Sequence, residues 1–289
     1  MTIALVVRVN DGYVLASDSA TTFQTLGPAG EVTVHNIYNN ANKIFNLYKG
    51  LPISLMTWGL GNIGPASIST LAKDLRARFA TGSKDNWKSQ PDSYNMTTVA
   101  KQVKKFFYDE HYEPYATAAK ANGEEVSLLG LSVAGYGAAE DQPQIFVLEL
   151  SADGCTGPIE ILAGEPGAAW WGQIEAISRL LNGVSVFTPL ALTNLNLAKD
   201  DAEAVALAQA MANEIRVGIV GAAMPIKDAI DLAEFLVQVT IGFVKFCPEH
   251  PTVGGPIEIA AVTKHEGFRW VQRKHYFDAR LNPPIGRTE

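Results

Sequence analysis

Residues 2–20, "TIALVVRVNDGYVLASDSA", decide the reading of this chain. Positions 3–9 and 13–17 are two apolar runs rich in β-branched residues, and Asn10-Asp11-Gly12 stands between them. An Asp-Gly pair between such runs predicts a tight hairpin, because the turn needs residues that tolerate positive φ. A sheet that opens on a hairpin is antiparallel. The chain therefore begins in such a sheet, with a threonine directly behind Met1 and Asp18 where the second strand gives out.

Further along, "KIFNLY" (43–48) and "PISLMTW" (52–58) predict a second strand pair turned at Lys49-Gly50, while the polar, Gly- and Asn-bearing stretch 19–42 reads as irregular. Ile68, Leu71, Leu75 and Phe79 recur at spacings of three and four, which predicts an amphipathic helix opened by Pro65. After a polar loop at 81–93, a second helix is expected over 97–121, with Val99, Val103, Phe106 and Phe107 on its buried stripe and a kink or break at Pro114.

Strands are expected in "EVSLLGLSVAGYG" (125–137), "QIFVLEL" (144–150) and "GPIEILAG" (157–164). Helices are expected over 168–181, after the N-cap candidate Asp200, and over 226–246; "GGPIEIAAVTK" and "FRWVQR" close the chain as strands. The pentapeptide GPIEI occurs at 157–161 and 255–259, too short a match to mark a structural repeat. No low-complexity linker divides the sequence, so residues 1–289 read as a single domain, its sheets covered by layers of helices.

Composition narrows the function. Lys and Arg number 23 against 30 Asp and Glu, and no basic run exceeds two residues, which leaves little to hold a phosphate backbone and argues against nucleic acid. Cys155 and Cys247 have no ligand spacing and read as two structural thiols of a reducing compartment. A metal site on Cys247, Glu249 and His250 is set aside because "CPEHP" reads as a rigid loop, so neither metal nor cofactor is expected. The apolar run 3–7 is too short for a secretory signal, and the greasy stretch 226–246 carries Lys227, Asp228, Asp231 and Glu234, which argues against a membrane span. The expected location is cytoplasmic.

"GLGNIG" (59–64) fits the dinucleotide pattern G-x-G-x-x-G, between a strand and a helix. That fingerprint needs a parallel strand ending in an acid about 20 residues on. Here the helix gives way to the loop sequence "TGSKDNWKSQPDSYN", so the glycines read as a tight strand-to-helix turn with a backbone N–H near the helix N-terminus. Such an N–H is able to stabilise an oxyanion, which makes Gly59 a candidate donor.

A threonine hydroxyl attacks a carbonyl only if a base takes its proton, and a free α-amino group with a pKa of about 7.7–8.0 serves when the threonine is the first residue. Removal of Met1 would leave Thr2 in that position. With this, "TIALVVRVNDGYVLASDSATT" resembles the start of proteasome β-type subunits, members of the N-terminal nucleophile hydrolases: terminal Thr, strand, Gly turn, strand ending in A-x-D-S, then Thr. The resemblance implies an α+β fold, a four-layer αββα sandwich of two antiparallel sheets. It implies Thr2 as nucleophile, Asp18 as the acid that orients Lys43, and Gly59 as the oxyanion donor, with Thr22, Thr57 and Trp58 as candidates for the substrate pocket. Strand-core packing explains Thr57 and Trp58 equally well.

The sequence departs from the family in places. The segment between Thr22 and Lys43 is longer, and Ala20 replaces the usual arginine. "AGEPGAA" (163–169) carries Glu165 and Pro166 where the family has a Gly-Ser-Gly-Ser-like segment, and "HPTVGG" (250–255) keeps only Gly254 and Gly255 of the late Asp-x-x-Ser-Gly-Gly element. Glu249, His250 and Thr252 are the candidate substitutes. Helices around 183–225 read as an insertion. The resemblance is thus to a divergent bacterial-type relative, a threonine hydrolase of peptide or amide bonds in a homo-oligomeric ring. The same letters are compatible with a non-catalytic ring or scaffold subunit, and with a transpeptidase or ligase sharing the acyl-enzyme half-reaction.

Overall fold

The hairpin at the start forms as its sequence requires: β1 (Ile3–Val9) and β2 (Gly12–Ser17) pair antiparallel, with Ala4 opposite Ser17 and Val9 opposite Gly12. The computed structural model describes residues 2–26, 32–82, 87, 90–248 and 251–274. All seven residues of β1 are buried, because both of its faces are covered. Ile3, Leu5 and Val7 pack with Ala229, Ala233, Leu236 and Val237, whereas Ala4 and Val6 pack with Met56, Trp58 and Ala134.

The latter contacts bring two five-stranded sheets face to face. One has the order β12-β1-β2-β13-β14, with β12 (Gly167–Gly172), β13 (Glu258–Thr263) and β14 (Gly267–Gln272). The other runs β11-β10-β9-β6-β5, with β5 (Ile44–Asn46), β6 (Ile53–Gly59), β9 (Leu129–Gly135), β10 (Gln144–Ser151) and β11 (Gly154–Ile161). Every strand pairing among the described residues is antiparallel. The chain is therefore an α+β protein built on antiparallel sheets.

Helix α1 (Ile68–Thr81) buries the expected Leu71, Leu75 and Phe79 against Leu55, Leu131 and Val133 of the second sheet. It begins later than Pro65 suggests: Ser67 caps it by accepting from the Thr70 N–H at 3.1 Å, and Pro65 lies in the turn between β7 (Asn62–Ile63) and β8 (Ala66–Ser67). The second predicted helix runs unbroken through α2 (Met96–Lys104), a π-helical stretch (Lys105–Tyr112) and α3 (Glu113–Ala121). Pro114 does not break it. The wider π turn just before the proline changes the hydrogen-bond spacing where a proline nitrogen cannot donate.

Two further expectations fail. Residues 21–38 hold a hairpin, β3 (Thr21–Leu26) with β4 (Val32–Tyr38), in place of the expected irregular loop. The predicted helix at 168–181 starts as a strand: β12 pairs with β1, and only α4 (Glu175–Ile177) and a π turn (Ser178–Asn182) are helical. Alanines carry high helix propensity, but the strand edge of β1 and the bulk of Trp170 and Trp171 prevail over it. Over 183–225, α5 (Thr188–Asn194) and α6 (Asp201–Ile215) form, the latter capped by Asp200 through the Glu203 N–H at 2.8 Å. Helix α7 (Ile226–Phe246) covers the first sheet. Among the described residues no helix is long and apolar enough to cross a membrane.

Candidate active site

Three polar side chains meet where β1, β2 and β5 end together between the sheets. Thr2 stands immediately before β1, Asp18 immediately after β2 and Lys43 immediately before β5. Thr2 Oγ1 donates to Asp18 Oδ1 at 2.5 Å, Lys43 Nζ lies 2.6 Å from the same carboxylate oxygen, and Lys43 Nζ also donates to Thr2 Oγ1. All three are buried, Asp18 completely.

The backbone holds each group. The Thr2 carbonyl accepts from the Gln173 N–H at 2.7 Å, and the Lys43 carbonyl accepts from the Thr57 N–H at 2.9 Å. Gly172, at φ +90°, passes so close that a Cβ there would fall 2.0 Å from the Thr2 carbonyl oxygen. Asp18 takes three backbone donors besides the side chains: Ile3 N–H on Oδ1, and Ala20 and Gly254 N–H on Oδ2, each at 3.0 Å. Five donors on one carboxylate fix its orientation and satisfy a group whose burial would otherwise be costly.

Burial lowers the proton affinity of Lys43 below the ordinary lysine value, and the adjacent Asp18 opposes that shift; Lys274 adds to the lowering and Glu258 offsets it. The same pressures act on Lys274, which lies 3.0 Å from Glu258 Oε2. Its Nζ also donates to Ser19 Oγ at 2.7 Å and to the Ala41 carbonyl at 2.5 Å. Reading the sequence alone misses Lys274, Glu258, Ser19 and the N–H of Gly254. Glu258 does carry a signal, being an acid in the otherwise apolar strand "EIAAV".

The other predicted residues are placed differently. Thr57 and Trp58 lie buried in β6, and Trp58 stacks on Trp171 of the opposite sheet with ring centroids 4.5 Å apart and planes 13° from parallel. Gly130 makes room for it, since a Cβ there would fall 1.9 Å from the indole. Gly59 ends β6, exposed, at φ +83°, where a Cβ would fall 2.2 Å from the Leu128 carbonyl oxygen. The glycines of 59–64 thus serve the close approach of the end of β6 to the residue before β9, and the short β7–β8 hairpin. Thr22 belongs to β3, opposite Ile37.

Thr252 is buried, and its hydroxyl finds no hydrogen-bond partner among the described residues. Met1, Glu249 and His250 lie outside the described residues, as do parts of the predicted loop 81–93. Cys155 and Cys247 are free thiols, and no cluster of three metal-ligating side chains occurs among the described residues. The site as described offers a hydroxyl, a carboxylate and an ammonium in mutual contact, a set able to activate an oxygen nucleophile.

No protein-family model matches this chain. No curated protein matches it either. Among solved structures it is similar to a (Gly-1) mutant of Anbu from Hyphomicrobium sp. strain MC1, at 14% sequence identity and a TM-score of 0.50, with 95% of this chain and 86% of that chain covered. Anbu is a bacterial proteasome-like protein of the N-terminal nucleophile hydrolase superfamily. The likeness spans nearly the whole chain, and this protein accordingly shares the fold of that Anbu structure.

Proposed function

We propose that the protein is an N-terminal threonine hydrolase that cleaves peptide or amide bonds through an acyl-enzyme on Thr2. The observation that carries this reading is the contact of Thr2 Oγ1 with both Asp18 and Lys43 at a buried strand end. Removal of Met1 would turn the Thr2 nitrogen from an amide into an amine with a free electron pair. That amine, directly or through a water, takes the hydroxyl proton as Oγ1 forms its bond to the substrate carbonyl carbon.

The Lys43 ammonium donates onto the oxygen that gains charge, and Asp18 holds the ammonium in place. Because burial weakens the hold of Lys43 on its proton, the donated hydrogen bond strengthens as the alkoxide develops. The Gly59 N–H is assigned the carbonyl oxygen of the tetrahedral intermediate. Collapse expels the amine with the proton the α-amine had taken, and water then releases the acyl group. Thr22, Thr57 and Trp58 are assigned to the pocket wall.

The packing of α1–α3 on one sheet and α7 on the other supports a four-layer αββα sandwich with a helical insertion at 183–225, folded as one domain. Exposed Phe187, Leu190, Leu195, Val205 and Met211 on and beside α5 and α6 support burial against further copies, hence a homo-oligomeric ring. A cytoplasmic location is the accompanying expectation.

Intact mass spectrometry of the native protein, with labelling by a threonine-directed electrophile, tests the reading. A single adduct on a chain lacking Met1, abolished by Thr2→Ala, is expected. Met1 retained throughout the pool, or undiminished activity of Thr2→Ala on fluorogenic peptides, would overturn it.

A further inference from the structure

Lys274 lies two residues beyond β14, yet its side chain is only 5% exposed, and that of its partner Glu258 only 2%. A buried ammonium is costly unless its donors are satisfied, and a buried ion pair seldom stabilises a fold more than apolar residues of the same volume. The buried pair therefore calls for another explanation. Nζ donates to Ser19 Oγ and to the Ala41 carbonyl, and its charge is paired with Glu258, whose Oε2 lies 3.0 Å away.

Ser19 adjoins Asp18, and Ala41 precedes Lys43 by two residues. The two segments touch through the Ala41 N–H, which donates to the Ser19 carbonyl at 2.9 Å. Ser19 is fixed in turn to the segment before β13, its N–H on the Gly254 carbonyl at 3.0 Å and its hydroxyl on the Pro256 carbonyl at 2.6 Å. Two acids and two ammonium groups alternate here, so the cluster is balanced in charge.

We propose that Lys274 is a positioning residue: anchored by Glu258, it ties the segment that carries Asp18 to the segment that carries Lys43 and so sets the contact between those two side chains. It touches neither Thr2 nor any substrate, and acts only through the two turns it joins. The inference rests on the reading of Thr2 as the nucleophile for its kinetic consequence, while its geometric content stands apart from that reading.

The test uses the double variant Lys274→Met/Glu258→Gln, which removes both charges and leaves neither unpaired, alongside Lys274→Arg. The double variant is expected to lose about 100-fold in kcat, the scale of a small misplacement of reacting groups, with KM within about twofold of wild type. Its crystal structure is expected to show Lys43 Nζ out of hydrogen-bond reach of Asp18. Lys274→Arg, which keeps the cation and its donors, is expected to retain most of kcat and decides the matter if the double variant does not fold. A folded double variant with wild-type kcat, or with the Asp18–Lys43 contact unchanged, overturns the proposal; so does Lys274→Arg as impaired as the double variant. If Thr2→Ala proves fully active, the nucleophile reading fails, and the Asp18–Lys43 distance alone decides the role of Lys274.

Discussion

Gly172 closes over the Thr2 carbonyl so tightly that any side chain on it would overlap the oxygen, a Cβ lying 2.0 Å away. The last residue of β12 thereby sets where the chain's second residue sits, and the next N–H, from Gln173, holds the same oxygen at 2.7 Å. Gly172→Ala also meets a φ of +90°, which strains any other residue. Thermal or denaturant unfolding should show a loss of about 1–3 kcal/mol from backbone strain, and labelling of Thr2 should fall more steeply than stability.

Asp18→Asn changes charge with almost no change in shape. The carboxylate accepts from five donors, so an amide NH₂ must face at least one of them. Hydrogen bonds to charged groups are worth about 1.5–3 kcal/mol each, and a loss of stability on that order is expected in denaturant melts. Under the proposed function, peptidase activity should fall by about 10²-fold or more, the scale seen when a preorganised electrostatic partner is removed.

Lys43 supplies a pH dependence with a definite sign. Its proton affinity in the fold lies below the ordinary value of 10.5, chiefly through burial, with Asp18 opposing. If the ammonium form supports attack, the alkaline limb of the rate profile falls with a midpoint below 10.5. Lys43→Arg should flatten that limb, since a guanidinium stays charged throughout. The unfolded chain holds this proton more tightly than the folded one, so the contribution of Lys43 to stability is unfavourable below its folded-state pKa. It improves as pH rises towards 10.5.

Trp58→Ala separates a pocket wall from a packing role. The indole bridges the two sheets on Trp171, and its removal would leave a void between them. A destabilisation of about 3–5 kcal/mol is expected. If the residue only packs, peptide selectivity among fluorogenic substrates stays the same in the folded fraction; a changed selectivity assigns it to the pocket.

Legibility in the sequence depends on range. The β1–β2 hairpin is legible because Asn10-Asp11-Gly12 encodes its turn locally, and the stripe of Leu71, Leu75 and Phe79 names the buried side of α1. Thr2, Asp18 and Lys43 stand out through the resemblance to proteasome β-type subunits, and the fold brings them into contact. Strand β12 reads wrongly as helix because 168–171 is Ala-Ala-Trp-Trp, and only the edge of β1, more than 150 residues earlier, makes it a strand. Hairpin β3–β4 reads wrongly as a loop because apolar and polar residues are mixed along it and its sheet has only two strands, with none of the described side chains at 21–23 and 33–38 buried. The Lys274–Glu258 pair belongs to no motif, and its partners at 19 and 41 lie far away in sequence.

The hydrogen bond between the Gly254 N–H and Asp18 spans 236 positions, and it has a bearing on biosynthesis. A chain still emerging from the ribosome possesses its hydroxyl and its lysine early, but nothing yet secures the acid from the far side. The carboxylate gains its full set of donors only once residue 254 has been made, so the surroundings of Thr2 are completed long after the hairpin that carries it.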